Sequence, residues 1–305
     1  MTISKDTNQP IHEASVQTFD RRGIFGIASA VGAGALLASF AGGSQAVAAA
    51  EGATSVIDTA LQRGSIKFGV SLSYAPIEMR DPSSGEPTGY VIELAKLLAK
   101  SLNVKAEFEV MPFDQLFAAQ LAGKFDMAGT CATILPQRAE KVLFCSEPVQ
   151  IESQVVLLKP GSTAKSLADL SNPDVTIAVG VGSSQEAAAP GIFPGAAIKS
   201  LDNQAAIQDV GVGRSDATLL SEFNVADAKK AFPGLTVMDV PPPFIDITTF
   251  FMPLSDYRTK FYVDNWLRYQ TSHGVLSALW AKYVGNAATA AGIPTTPITS
   301  PWIKS

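Results

Sequence analysis

Residues 66–110 read IKFGVSLSYAPIEMRDPSSGEPTGYVIELAKLLAKSLNVKAEFEV, and this stretch decides the fold class. Ile66-Lys67-Phe68-Gly69-Val70 is a compact strand-type run that delivers a polar, aromatic loop through Ser71, Ser73, Tyr74 and Pro76. Asp81-Pro82-Ser83-Ser84-Gly85 is turn chemistry. Beyond Gly89, Ile92, Leu94, Ala95, Leu97 and Leu98 recur at helical spacing as far as Leu102. Val104 to Val110 alternates as a second strand, Phe113 to Ala122 reads as a helix, and Gly123 to Ala128 leads into a third strand. This βαβαβ order argues for a parallel sheet with helices packed on it.

Outward from that unit the plan is repeated. Val155-Val156-Leu157-Leu158 is a fully apolar strand broken by Lys159-Pro160-Gly161, and the chain is expected to cross between lobes near it. Leu167 to Leu170 reads as a short helix, Val175 to Val179 as a strand, and Gly182-Ser183-Ser184-Gln185-Glu186 opens the next helix. Ile198 to Arg214 gives another strand and helix, and Asp216 to Leu220 a further strand. Pro241-Pro242-Pro243 stiffens an extended passage. Ile247 to Met252 then reads as a strand and Asp256 to Tyr283 as one or two amphipathic helices returning to the first lobe. The expected division is a leader over 1–50, the first part of lobe one over 51–154, lobe two over 155–246, and the return to lobe one over 247–305.

Composition sets limits on function. The 305 residues are 47% hydrophobic and 17% charged, enough for two modest cores and too balanced for disorder. A net charge of -5, with no Lys/Arg cluster outside the extreme N-terminus, gives no electrostatic footprint for nucleic acid. Cys131, Cys145, His12 and His273 are too few for a Cys/His metal centre, so neither metal nor cofactor is expected. At the N-terminus, Arg21-Arg22 precedes a Gly/Ala-rich apolar run over 23–41, with small residues at Ala46, Ala48 and Ala50. This pattern reads as an export signal of twin-arginine type, which places the expected mature protein in the periplasm; the alternative reading is a membrane anchor, since the run is nearly long enough to span a bilayer though its Gly and Ala content is weakly hydrophobic.

Between residues 66 and 284 the ordered motifs resemble the periplasmic amino-acid-type (family 3) solute-binding proteins of ABC importers. The resemblance is carried by Tyr74-Ala75-Pro76 after the first strand, Gly89-Tyr90-Val91-Ile92-Glu93-Leu94, and Phe113-Asp114-Gln115-Leu116 with Leu121-Ala122-Gly123-Lys124-Phe125-Asp126. Thr130-Cys131-Ala132-Thr133 with Arg138, Ser146-Glu147-Pro148, Val179 to Glu186, and Gly213-Arg214-Ser215-Asp216-Ala217 continue it in order. The resemblance implies a periplasmic-binding-protein fold: two α/β lobes joined by two crossover strands with a ligand cleft between them. It implies a monomeric protein that captures a small carboxylate-bearing, amino-acid-like ligand and hands it to the importer's membrane subunits.

The same resemblance implies a site. Arg138 stands where the family's arginine grips a ligand carboxylate, and a planar guanidinium holds both oxygens at once. The bland alternative is a surface arginine paired with Glu140 or Glu147. Gly182, Ser183 and Ser184 at a helix start would add backbone N–H groups and hydroxyls to the grip, and capping by Ser183 or Ser184 explains them equally well. Thr130, Cys131 and Thr133 match the family's small polar stretch, and Tyr74 and Phe113 its aromatic wall. Ser221, with Glu222 beside it, occupies the position where members often carry the acid that holds an α-ammonium group. Ser71, at a position acidic in members that bind basic amino acids, argues against a lysine- or arginine-like ligand. Cys131 and Cys145 are read as free small residues rather than a disulfide.

The runner-up is an enzyme on the same fold, since residues 251–254 and 262–267 look similar to the exported cyclohexadienyl dehydratases. A dehydratase needs a carboxylic acid to protonate the leaving hydroxyl. Glu222 is the sole acid the sequence offers near Ser221 and Asn224, with no acid–base pair around it, so binding without catalysis is the expectation.

Overall fold

The computed structural model describes residues 55–285; the expected leader over 1–50 and the end of the chain lie outside the described residues. The strand Ser65–Val70 lies between Lys105–Val110 and Met127–Ala128, parallel to both, with Phe68 in register with Phe108 and with Met127. The βαβαβ reading predicts this sheet. The strand is buried almost throughout because the helix Tyr90–Ser101 lays Val91, Ile92, Leu94, Ala95 and Leu98 on it, which drives the apolar surface of both out of water. The segment read as a helix over Phe113 to Ala122 is divided into a tight 3₁₀ turn, Phe113–Gln115, and a helix, Leu116–Leu121. Pro112 at its entrance shapes that first turn.

The helices Tyr257–Ser272 and Val275–Trp280 pack into this same core through Val263, Trp266, Leu267, Leu276 and Trp280. Trp280 meets the Tyr90 and Phe223 rings edge-on at 5.2 and 5.1 Å. The helix Val56–Arg63 is tied to the same helical layer by Asp256, which accepts the Val56 N–H at 2.7 Å.

One glycine is required by backbone geometry here. Gly89, preceding the helix Tyr90–Ser101, sits at φ 121°, ψ 172°, a region open essentially to glycine alone. A Cβ there would lie 2.5 Å from the Ile77 carbonyl oxygen. Gly89→Ala is expected to destabilise the fold by about 1–3 kcal/mol from the backbone term alone, read as a lower urea midpoint. An unchanged midpoint would show that the helix entrance relaxes freely.

The second sheet runs in the order Ala197–Leu201, Thr176–Gly180, Ala217–Ser221, Gln150–Leu158, Ile245–Thr249 and Ala132–Thr133. Its first three strands are parallel, and both of its faces are covered: Ile177, Val179 and Leu219 pack on one side, Ala178, Ile207 and Leu220 on the other. The nine-residue strand Gln150–Leu158 belongs to two structures at once. Its far half pairs antiparallel with Ala217–Ser221, Leu158 opposite Ala217. Its near half pairs antiparallel with Ile245–Thr249, Glu152 opposite Asp246 and Ile151 opposite Ile247. These two strands cross between the lobes.

The crossover strands invert the usual alternation. Gln150, Glu152, Gln154, Asp246 and Thr248 point inward and are buried, while Ile151, Ile245 and Ile247 face solvent. A buried polar face is tolerable only if its members bond one another or a ligand. Gln154 Nε2 accordingly donates to Asp246 Oδ2 at 3.0 Å, and Gln185 Nε2 donates to Gln154 Oε1 at 2.6 Å. Cys131 and Cys145 are both buried and unbonded to each other.

Candidate functional site

A cleft lies between the lobes with a cavity of about 100 Å³, several times what a single water requires. From the first lobe it is lined by Ser71, Tyr74, Phe113, Thr130, Cys131, Thr133 and Arg138; from the second by Val181, Ser183, Ser184, Gln185, Ser221 and Asn224; and at the crossover by Glu152 and Thr248. Nearly all the expected residues are thus brought together. Gly182 and Glu222 are not in the lining: Gly182 reaches the site through its carbonyl, which accepts from Arg138, and Glu222 is partly exposed and accepts the Ser153 N–H at 3.0 Å.

Arg138 is placed by the short helix Pro136–Ala139 that follows the strand Ala132–Thr133. It is 7% exposed and does not pair with Glu140 or Glu147; Arg268 takes Glu147 instead. Its guanidinium lies over the Phe113 and Phe117 rings, 5.3 and 4.9 Å from their centroids, which fixes its plane. Nη1 donates to the Thr133 carbonyl at 2.9 Å and Nη2 to the Gly182 carbonyl at 2.8 Å, linking the lobes. Two of its five N–H donors are so engaged, and the others take no acceptor among the described residues. Burial lowers its pKa to about 10, with Asp246 opposing the shift, so it stays cationic at neutral pH.

The helix Ser184–Ile192 supplies the opposing wall. Ser183 caps it, accepting the Glu186 N–H at 3.1 Å and donating to the Gly180 carbonyl at 2.5 Å. Gly182 donates its N–H to the Glu186 carboxylate at 2.7 Å, and Ser184 Oγ donates to Asp246 Oδ2 at 2.6 Å. Capping therefore accounts for Ser183 and Gly182, while the Ser184 and Gln185 N–H groups take no acceptor among the described residues. Gly182 has φ +71°, and a Cβ on it would stand 3.1 Å from Asp114 Cβ of the first lobe.

Sequence reasoning missed the acids. Glu152 is 5% exposed and projects from the crossover strand into the cleft. Ser221 Oγ donates to Glu152 Oε2 at 2.6 Å, and Gln150 Nε2 donates to the same oxygen at 3.3 Å. Tyr74 Oη also donates to Glu152 Oε2 and lies 2.6 Å from Ser221 Oγ. Burial pushes the Glu152 carboxyl up to about 7; the Ser221 and Tyr74 donors oppose the rise, and Asp246 and Glu222 add to it. Burial and the Glu152 charge in turn push the Tyr74 phenol well above its ordinary range.

Glu78 holds the loop behind Tyr74. It accepts from Ser71 Oγ at 2.5 Å, Ser71 N–H at 3.2 Å and Thr130 Oγ1 at 2.8 Å. Burial raises the carboxyls of Glu78 and Asp246 as well, and burial raises the Cys131 thiol, so that sulfur is a neutral wall atom rather than a thiolate. The expectation that Glu222 is the sole acid near Ser221 is corrected: pleating of the crossover strand puts Glu152 there. The signal was present in Gln150-Ile151-Glu152-Ser153-Gln154, where a long polar side chain recurs at every second position.

Residues 66–286 match the family described as bacterial extracellular solute-binding proteins, family 3. The chain is 30% identical over 172 residues to the L-cystine-binding protein of Escherichia coli (strain K12), covering 55% of this chain and 63% of that relative, less than two thirds of its length. The crystal structure of an ancestral amino acid-binding protein, a precursor of cyclohexadienyl dehydratase, superposes with a TM-score of 0.69 at 34% identity, covering 75% of this chain and 99% of that one. A binding component of an ABC transporter from Wolinella succinogenes, complexed with lysine, superposes with a TM-score of 0.66 at 29% identity, over 72% of this chain and 96% of that one.

Proposed function

The chain belongs to the bacterial extracellular solute-binding proteins, family 3, and on that premise we propose that it captures a small carboxylate-bearing, amino-acid-like solute outside the cytoplasm for uptake by an ABC importer. The observation that carries this reading is Arg138: a buried cation between the lobes, held flat by two aromatic rings, with donors left over. In this reading a ligand carboxylate takes those donors, with the Ser184 and Gln185 N–H groups completing the grip from the second lobe. Phe113 and Tyr74 form the wall against the ligand's body, and Thr130, Cys131 and Thr133 shape the floor. Ligand bridging the lobes favours the closed arrangement, in the manner of hinged binding domains. The protein acts as a monomer and performs no chemistry.

The dehydratase reading gains one feature from the structure. Glu152 is a cleft carboxyl with its pKa near 7, which suits a general acid. None of the other lining acids is hydrogen-bonded to Glu152 among the described residues: Glu78 is held by the Ser71 and Thr130 hydroxyls, and Asp202 caps a helix by accepting the Gln204 N–H; with no acid–base pair formed, binding is preferred.

A thermal-shift screen of the mature protein against amino acids, dicarboxylates, prephenate and arogenate, with mass spectrometry of each mixture, tests both. A compound at about 100 times its Kd adds about 3 kcal/mol to native stability, readily visible as a raised Tm. Stabilisation by an unchanged amino acid is the expected result. Conversion of prephenate or arogenate to product would make the protein an enzyme.

A further inference from the structure

The cleft holds more negative than positive charge. Arg138 is the single cationic side chain among its lining residues, against Glu78, Asp114, Glu152 and Asp202. Glu78 has both carboxylate oxygens engaged, Oε1 with Ser71 and Thr130 hydroxyls and Oε2 with the Ser71 N–H. Asp246 is bonded to Ser184 and Gln154, also through one oxygen, Oδ2, but it stands behind the lining and does not face the cavity. Glu152 differs. Its three protein contacts, from Tyr74, Ser221 and Gln150, all fall on Oε2. Oε1 receives no donor among the described residues, nor is it sealed in the interior as an unsatisfied atom; it opens on the cleft.

A carboxylate oxygen aimed at a cavity, on a side chain whose other oxygen is anchored from three sides, is an acceptor prepared for a donor the protein does not supply. A charged donor suits it best, because hydrogen bonds between ionised groups are about twice as strong as neutral ones and a buried lone carboxylate is costly. We propose that Glu152 receives a protonated amine of the ligand, so that the solute is a zwitterion held by its carboxylate at Arg138 and its ammonium at Glu152. The assignment rests on the carboxylate-binding reading above. Ser221 and Tyr74 are positioning residues, acting through Glu152.

The groups that face Glu152 set its titration: Tyr74 and Cys131 from the first lobe, Ser221 and Glu222 from the second, Gln150 on its own strand, and Asp246 across the pair. An ammonium binds the ionised carboxylate and displaces the proton that burial favours. With the free carboxyl near 7, affinity rises about tenfold from pH 6 to pH 8 and then levels off.

Calorimetric titration of wild type and Glu152→Gln with L-cystine and a wider set of L-amino acids that carry no side-chain amine, each beside its deaminated counterpart (3,3′-dithiodipropionic acid for cystine), decides the matter. The expected result is binding of an amino acid but not its deaminated counterpart, at least about tenfold weaker binding by Glu152→Gln, and loss of the pH dependence in that variant. Ser221→Ala, which removes a donor to the carboxylate, moves the midpoint of the wild-type pH profile upward. Equal affinity in Glu152→Gln, or equal binding of amino acid and deaminated counterpart, overturns the ammonium site and leaves the carboxylate reading standing. Binding of deaminated acids alone does the same. Absence of binding by either set to wild type overturns both readings together.

Discussion

An Arg138→Ala variant is expected to lose carboxylate binding, with Kd raised by a factor of about a hundred or more. Removing one partner of a buried, hydrogen-bonded charge pair costs about 3–5 kcal/mol, and 1.4 kcal/mol is tenfold. Arg138→Lys does not restore the affinity, since an ammonium presents no planar fork and stacks poorly between the Phe113 and Phe117 rings. The fold survives, because Arg138 sits on a four-residue helix at the cleft rather than inside a core cluster. Calorimetry of both variants checks this; affinity within threefold of wild type in Arg138→Ala would remove the carboxylate assignment.

The second large effect concerns pH and the protein without ligand. Glu152 has an ordinary value of 4.5 and a folded value of about 7. Between these values the folded chain holds a proton that the unfolded chain releases. The associated stability is therefore full below about pH 4.5 and is lost as pH rises through 7. At 1.36 kcal/mol per pKa unit the loss approaches about 3 kcal/mol by pH 8. Glu78 and Asp246, raised by burial, act in the same direction, whereas Asp209, lowered by Ser215 and then Lys199, and Asp216, lowered against burial by Lys159 and the Thr176 N–H, weaken the protein only when protonated in acid. Urea midpoints measured from pH 5.5 to pH 8.5 are expected to fall in wild type and to flatten in Glu152→Gln, which keeps the shape without the charge. A slope unchanged by that substitution would show that Glu152 does not bear the strain.

The first lobe was largely legible in the sequence because its signals are local. Ile66 to Val70 is apolar at each end, and the helical spacing from Ile92 to Leu98 comes from one face buried on one sheet. Arg138, Ser183 and Ser184 were also reachable, since each sits in an ordered motif. Glu152 and Asp246 were not. Their alternation, Gln150-Ile151-Glu152-Ser153-Gln154 and Ile245-Asp246-Ile247-Thr248, is visible, but the ordinary rule turns isoleucines inward and acids outward. Which side is inside depends on two lobes closing over the polar face, and the partner strand lies far along the chain. Glu222 falls outside the lining for a related reason: at the end of the strand Ala217–Ser221, one residue of pleat separates a side chain in the cleft from one outside it.

Gly182 gives the cleft a final property. The first lobe's Asp114 meets it where a β-carbon would stand 3.1 Å away, and its carbonyl receives Arg138 at 2.8 Å. At this point the second lobe offers bare main chain, like a door frame with nothing left in the jamb. The approach there is written into the backbone, since Gly182 has no rotamer that could widen or tighten it, and any side chain placed on it would hold the halves apart.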